Sequence, residues 1–297
     1  MSTQATTPTH LAVPQGKHTQ GGAARSVLWH VVVIALVVVL IYPVVWLLSS
    51  SFKPAGEVLS NLSLLPDNGT TSNYSEVFGG VAGYSIWQYF ANSLVVSVLA
   101  VIGNVLSCAL AGYAFGRLRF RGRGPLFAFM LSTIMLPHHV VLIPQYIIFQ
   151  KLDMVNTFWP LILPKFFATE AFFVFLMVQF VRGLPRELDE SATIDGCGPF
   201  RTFWYVILPL LRPAVITTAI FTFIWTWNDF FSQLIYLNDP SKFTLPLALQ
   251  MFVDQGSKSA FGPMFAMSVL ALVPIVLFFV AFQRFLVDGV STSGLKG

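Results

Sequence analysis

Three carboxylates fall within four residues at Glu187, Asp189 and Glu190, and Asp195-Gly196 follows shortly after. Acids at such spacing suit the first turn of a short helix, where unpaired backbone N–H groups and the helix dipole favour negative charge. Asp195-Gly196 should break that helix. Pro199 suits the start of a second one, in which Phe200, Phe203, Trp204 and Ile207 share a face, and Pro209 should end it. Two short helices joined by a sharp turn make a peg for a partner's socket. That is docking chemistry, and it asks for no nucleophile or metal.

A second polar set interrupts an apolar run. Thr218, Thr222, Trp225, Asp229 and Ser232 recur at steps of four and three, one face of a regular helix, with Asn228 and Gln233 beside it. Hydroxyls, an amide, a carboxylate and an indole face can line a cavity for a sugar. The same groups can instead bond one helix to its neighbours. Glu170 is a lone acid in another apolar run, and Lys165, about 140° away around a regular helix, is not expected to be its partner.

Other chemistries find little support. The sequence has no G-x-x-x-x-G-K-[ST] segment to cradle ATP phosphates, so an energy source of that kind would have to sit on another chain. His138 and His139 are adjacent and diverge on a helix, which favours polar packing beside Pro137 over a shared metal ion. No Ser, His and acid arrangement stands out, and the chain reads as neither an enzyme nor a holder of its own cofactor. Cys108 and Cys197 read as free thiols.

These residues are carried by a chain of 297 residues that is 55% hydrophobic and only 10% charged, with a mean hydropathy of +0.72. So little charge cannot coat a soluble domain of this size, and the long apolar runs indicate a helical membrane protein. Six runs can cross about 30 Å of hydrocarbon: 27–50, 91–116, 125–149, 158–181, 211–237 and 264–286. Prolines at 137, 144, 160, 164, 213 and 274 interrupt the last four, which requires a packed bundle to satisfy the freed carbonyls. With a cytoplasmic amino terminus, 12 of the 17 basic residues, every arginine among them, fall on the cytoplasmic side, so the positive-inside rule puts both termini there. The arginines at 117, 119, 121 and 123 fit that rule, or a site for phosphate or anionic lipid. No nucleic-acid role is implied. Residues 1–26 read as a disordered tail, 51–87 as an extracytoplasmic loop with interfacial Trp87 and Tyr89, and 287–297 as a cytoplasmic tail.

The loop between the fourth and fifth runs resembles the coupling loop of permease subunits in ATP-binding-cassette importers. Their motif runs Glu-Ala-Ala, three residues, Gly, nine residues, Ile, one residue, Leu-Pro. Here Glu190, Ser191 and Ala192 are followed at matching spacing by Gly196, Val206, Leu208 and Pro209, with Ser191 and Val206 as small departures. Tyr42 to Pro54, Ala111 to Phe120, Leu163 to Lys165, Phe223 to Phe230, Tyr236 to Pro246 and Gly294 to Gly297 extend the likeness, which is strongest to the smaller, maltose-type permease of carbohydrate uptake. Val178 departs where relatives often carry a basic residue.

The resemblance implies an all-α membrane protein of six transmembrane helices with the type I importer architecture, its core at 88–286 and its coupling loop at 183–209. It implies that Glu187, Asp189, Glu190, Ser191, Ala192, Asp195, Gly196, Leu208 and Pro209 serve coupling to an ATPase. The partners would be a second permease in a heterodimer, an ATPase dimer carrying ATP and Mg, an extracytoplasmic solute-binding protein and membrane lipid. Thr222, Trp225, Asn228, Asp229 and Ser232 are the candidates for the substrate path. The rival readings are a secondary transporter or channel without an ATPase, and a membrane receptor that uses the loop only for docking.

Overall fold

The computed structural model describes residues 21–54, 56–58, 60, 63–254 and 261–291. Most of the two expected tails lies outside the described residues. Residues 21–26, expected in the amino-terminal tail, are helical.

α1 (Gly21–Ser50) is followed by the short α2 (Ser72–Gly79) and the long α3 (Ile86–Arg117). α4 (Arg123–Thr133), α5 (His138–Lys151) and α6 (Trp159–Ile162) lead into a 3₁₀ turn at Leu163–Phe167 and then α7 (Ala171–Gly183). The acid-rich loop holds α8 (Glu187–Ile194), α9 (Pro199–Thr202), a π-helical turn at Phe203–Ile207 and α10 (Leu208–Leu210). Beyond it lie α11 (Arg212–Trp227), α12 (Phe231–Tyr236), a 3₁₀ turn at Pro240–Lys242, α13 (Leu245–Asp254) and α14 (Phe261–Ser291). Among the described residues no strand forms beyond an isolated bridge between Val81 and Tyr84.

Among the described residues, four helical stretches are long and apolar enough to cross a membrane: Arg25–Ser50, Ile86–Arg117, Trp159–Gly183 and Phe261–Arg284. The number rises to six if two bent pairs each count once, α4 with α5 at 105° and Pro199–Leu210 with Arg212–Trp227 at 77°. Proline chemistry explains the breaks. Pro137 disfavours helix at the residue before it and so separates α4 from α5. Pro164 opens the 3₁₀ turn, and Ala168 then takes a left-handed conformation at φ +53°.

The chain divides into two compact units at Leu47/Leu48. In the first, side chains 25–45 of α1 are all exposed. A helix apolar on every side calls for lipid or another chain around it. The second unit is organised on α3, which packs against α7, α11, α13 and the 3₁₀ turn at 163–167. One cluster joins Tyr113 of α3 to Phe173, Met177 and Val181 of α7 and to Phe203 and Ile207 of the loop. A second joins Tyr89 to Val77, Phe223, Trp227 and Met267, and a third joins Val96 to Leu142, Phe149, Leu161 and Tyr236.

The small residues of α3 form a packing face. A Cβ on Gly103 would meet the Phe166 ring at 2.5 Å, and one on Gly112, about two and a half turns further on, would run into Met177 Cβ. The segment leading into α3 departs from the interfacial strip expected of it. α2 buries Asn73 and Val77, and Tyr89 is buried with its hydroxyl donating to the Val81 carbonyl at 2.9 Å. Trp87 remains 64% exposed, as an interfacial aromatic should be.

Candidate functional site

α7 closes at Gly183, and Leu184 takes the extended backbone that the following Pro185 favours. Glu187, Asp189 and Glu190 occupy the first turn of α8. The Ser191 and Thr193 hydroxyls turn back along the helix and donate to the Glu187 and Asp189 carbonyls at 2.8 Å. Ala192 is the buried residue of α8. The helix ends in a Schellman motif: the Gly196 N–H donates to the Thr193 carbonyl at 3.0 Å, and the Cys197 N–H donates to the Ala192 carbonyl at 2.8 Å. Gly196 sits at φ +77°, a conformation that costs any residue with a Cβ.

The turn expected at Asp195-Gly196 is therefore present, and the second arm begins at Pro199. Its end differs from expectation. The helix runs through Pro209 to Leu210 and bends at Leu211 instead. Pro209 stands at an early position of α10, where the missing N–H costs little, and the wider π turn just before it gives the ring room. Leu208 packs against the core, so Leu208 and Pro209 lie at the opposite end of the second arm from Glu190 and Gly196. Ile194 is 86% exposed and Phe200 68%, one on each side of the turn. Large apolar side chains in that position need a partner surface.

Of the four clustered arginines, two are used inside the fold. Arg117 donates to the carbonyls of Leu184 and Pro185 and faces Asp189, while Arg123 donates to the carbonyls of Leu118 and Gly116 at the end of α3. Arg119 and Arg121 are exposed.

The polar stripe of the fifth run does not lie on one continuous helix. α11 ends at Trp227, because the Asn228 side chain donates back to the Ile224 carbonyl and Asp229 accepts from the Ser232 N–H at 3.1 Å, opening α12. Thr218 and Thr222 are buried, and Thr222 accepts from Asn104 Nδ2 of α3 at 2.7 Å, so it bonds helices together. Trp225 is half-exposed against Phe173, with ring centroids 5.2 Å apart.

Asp229 and Ser232 do reach a cavity, of about 580 Å³, together with His138, Lys165, Glu170 and Tyr236. An adjoining space of about 470 Å³ shares His138, Lys165, Glu170 and Asp229 and adds Trp225 and Asn228. Lys165 and Glu170 form an ion pair there, contrary to the regular-helix expectation. The 3₁₀ turn and the left-handed Ala168 interrupt the regular helix, so five residues no longer span a fixed helical angle. His138 Nε2 lies 3.4 Å from Ser232 Oγ, and among the described residues no three His, Cys, Asp or Glu side chains group as a metal would need.

A family model described as "Binding-protein-dependent transport system inner membrane component" matches residues 103–292. The chain belongs to this permease family. It is accordingly a multi-pass protein of the cell membrane, and the family is one of transport proteins and not of enzymes. The permease is 33% identical over 260 residues to the arabinooligosaccharides transport system permease protein AraQ of Halalkalibacterium halodurans, a match covering 86% of this chain and 91% of the relative. It is 34% identical to the diacetylchitobiose uptake system permease protein NgcG of Streptomyces coelicolor, covering 88% and 86%. Its fold is similar to a chain in the crystal structure of a bacterial ABC transporter involved in import of the acidic polysaccharide alginate, with a TM-score of 0.78 at 20% identity, covering 91% of this permease and 99% of that chain.

Sequence reasoning missed the internal role of Arg117 and the Lys165–Glu170 pair. The signal for the second was present in Pro160 and Pro164, which already argued against a regular helix through 165–170.

Proposed function

We propose that this permease is one half of the translocation pathway of an ATP-driven oligosaccharide importer. In this reading the two bent pairs complete six spans, both termini are cytoplasmic, and the loop at 183–209 docks on a separate ATPase dimer that holds ATP and Mg. A second permease forms the other half of the pathway, and an extracytoplasmic solute-binding protein delivers the sugar.

The observation that carries the reading is the Schellman turn at Gly196 with Ile194 and Phe200 exposed on either side. It is a hydrogen-bonded knob with apolar sides on a loop whose residues match the coupling motif. The carbohydrate assignment is supported by the relatives' names and by the cavity, whose His138, Asp229 and Ser232 can exchange hydrogen bonds with sugar hydroxyls. Trp225 and Asn228 border the adjoining space, while Thr222 serves helix packing.

The test is uptake by proteoliposomes holding the permease pair, its ATPase and its binding protein, offered labelled arabinotriose, galactotriose and diacetylchitobiose with and without internal ATP. Accumulation of one of them only with ATP is expected. Flux without ATP would favour a secondary transporter or channel, and no flux of any of the three would remove the oligosaccharide assignment.

A further inference from the structure

Arg117 is the last residue of α3, and three of its contacts go to the coupling loop. Its Nη2 donates to the Leu184 carbonyl at 2.6 Å and to the Pro185 carbonyl at 3.2 Å, and its Nε lies 3.1 Å from Asp189 Oδ2. The side chains of Arg117 and Asp189 are 7% and 26% exposed. Nε and Oδ2 are buried and sit off hydrogen-bond alignment, so neither has a hydrogen-bond partner among the described residues and each relies on the other's charge. One helical turn earlier, Tyr113 lies against Phe203 of the second arm, ring centroids 5.4 Å apart. Both arms of the loop thus rest on the last turns of α3.

The contacts matter because of where they fall. Leu184 and Pro185 connect α7 to α8 in extended backbone, and a proline there removes the N–H that would let the helix continue. Without a brace this is where the loop would flex. Arg117 braces that joint with its Nη2 donating to two carbonyls, and holds the first turn of α8 by charge through Nε. At its middle α3 reaches the cavity elements: Asn104 bonds Thr222 of α11, and the Ser107 hydroxyl donates to the Lys165 carbonyl at 2.7 Å.

We propose that Arg117 is a positioning residue that fixes the coupling loop on α3. Displacement of the loop then moves α3, and with it the 163–170 segment of the cavity, instead of being absorbed at Leu184–Pro185. This rests on the coupling reading above, and the experiment separates the two.

The test uses the full permease pair with its ATPase in nanodiscs, as wild type, Arg117→Ala, Arg117→Lys, Asp189→Asn and the swap Arg117→Asp/Asp189→Arg. The first readout is amide hydrogen exchange at 184–196 without nucleotide. Arg117→Ala should speed it roughly tenfold, the scale of losing one charged hydrogen bond. Arg117→Lys should fall between, because it keeps the charge but cannot reach the carbonyls and Asp189 with two separate nitrogens, and the swap should recover more of the protection than Arg117→Asp or Asp189→Arg, each made alone for this comparison.

The second readout is the change in exchange at 163–170 on adding a non-hydrolysable ATP analogue, which should shrink severalfold in Arg117→Ala. If Arg117→Ala does not assemble, Arg117→Lys and Asp189→Asn carry the same comparison. Wild-type exchange at 184–196 in these variants overturns the brace. Faster exchange there with an undiminished nucleotide response at 163–170 overturns the positioning role. A wild-type complex that binds no ATPase overturns the coupling reading itself, whatever the first readout gives.

Discussion

In the loop at 183–209, the bonds that set its shape join near neighbours: Gly196 to Thr193, Cys197 to Ala192, Ser191 to Glu187. In the polar interior the short-range Lys165–Glu170 pair is joined by bonds that cross the chain: Asn104 reaches Thr222 over 118 residues, and Ser107 reaches Lys165 over 58. The loop is thus shaped by its own short segment and braced by α3, whereas the interior exists only once α3, α7 and α11 have packed. A locally encoded knob keeps its form while the bundle around it moves. A cavity held by long-range contacts changes when any one of its elements shifts.

Four measurements test this contrast. The largest effect is expected at Lys165→Met, which strands Glu170 in the cavity. With both side chains about a quarter exposed, the cost should be about 2 kcal/mol, below that of breaking a fully buried pair. Lys165→Met/Glu170→Met should recover most of it in thermal unfolding of the nanodisc-embedded protein. A neutral single substitution would mean that the interior does not depend on this pair.

Next comes Gly196→Val, which forces a branched side chain to φ +77° and should cost roughly 1–2 kcal/mol. The damage should stay local, seen as faster proteolysis at 186–200 with unchanged exchange in α3. Gly196→Asn should cost less, since Asn tolerates the left-handed state. Spread of the damage into α11 would contradict local encoding.

A smaller effect is expected from Asn104→Ala, about 0.6 kcal/mol, the average for one hydrogen bond between membrane helices. A double-mutant cycle with Thr222→Ala isolates it, and additivity of the two would show that the bond carries no coupling.

The smallest effect is the pH response of the 3₁₀ turn at Pro240–Lys242. The Ser241 backbone N–H and then its side chain hold the Asp239 carboxyl below its ordinary 3.8. A depressed acid contributes stability that is complete above its unfolded value and is lost as pH falls through the folded one. Exchange at Ser241, corrected for intrinsic pH dependence, should therefore rise slightly below about pH 4. A flat profile would show that the carboxylate does not hold the turn.

What could be read from the sequence follows the same division. The acids at 187–190, the glycine at 196 and the proline at 199 each act on backbone within a few residues, so helix, turn and second helix could be read directly. The stripe from Thr218 to Ser232 could not, because it assumed a helix that Asn228 and Asp229 end by bonding their own backbone. Pro209 misled for a related reason: a proline stops a helix only where its ring has no room, and the π turn before it supplies that room. Arg117 is one of the basic residues that the positive-inside rule counts, and nothing local distinguishes it from Arg119 or Arg121. Its second use depends on where α7 ends, 66 residues further on.

The two thiols give the wild-type permease a built-in reporter. Cys108 is fully buried, its Sγ 3.2 Å from Asn104 Oδ1, whereas Cys197, which closes the Schellman motif, is partly exposed. A maleimide dye or spin label should therefore react at the tip of the loop alone, so its motion can be followed by spectroscopy without adding or removing a single cysteine.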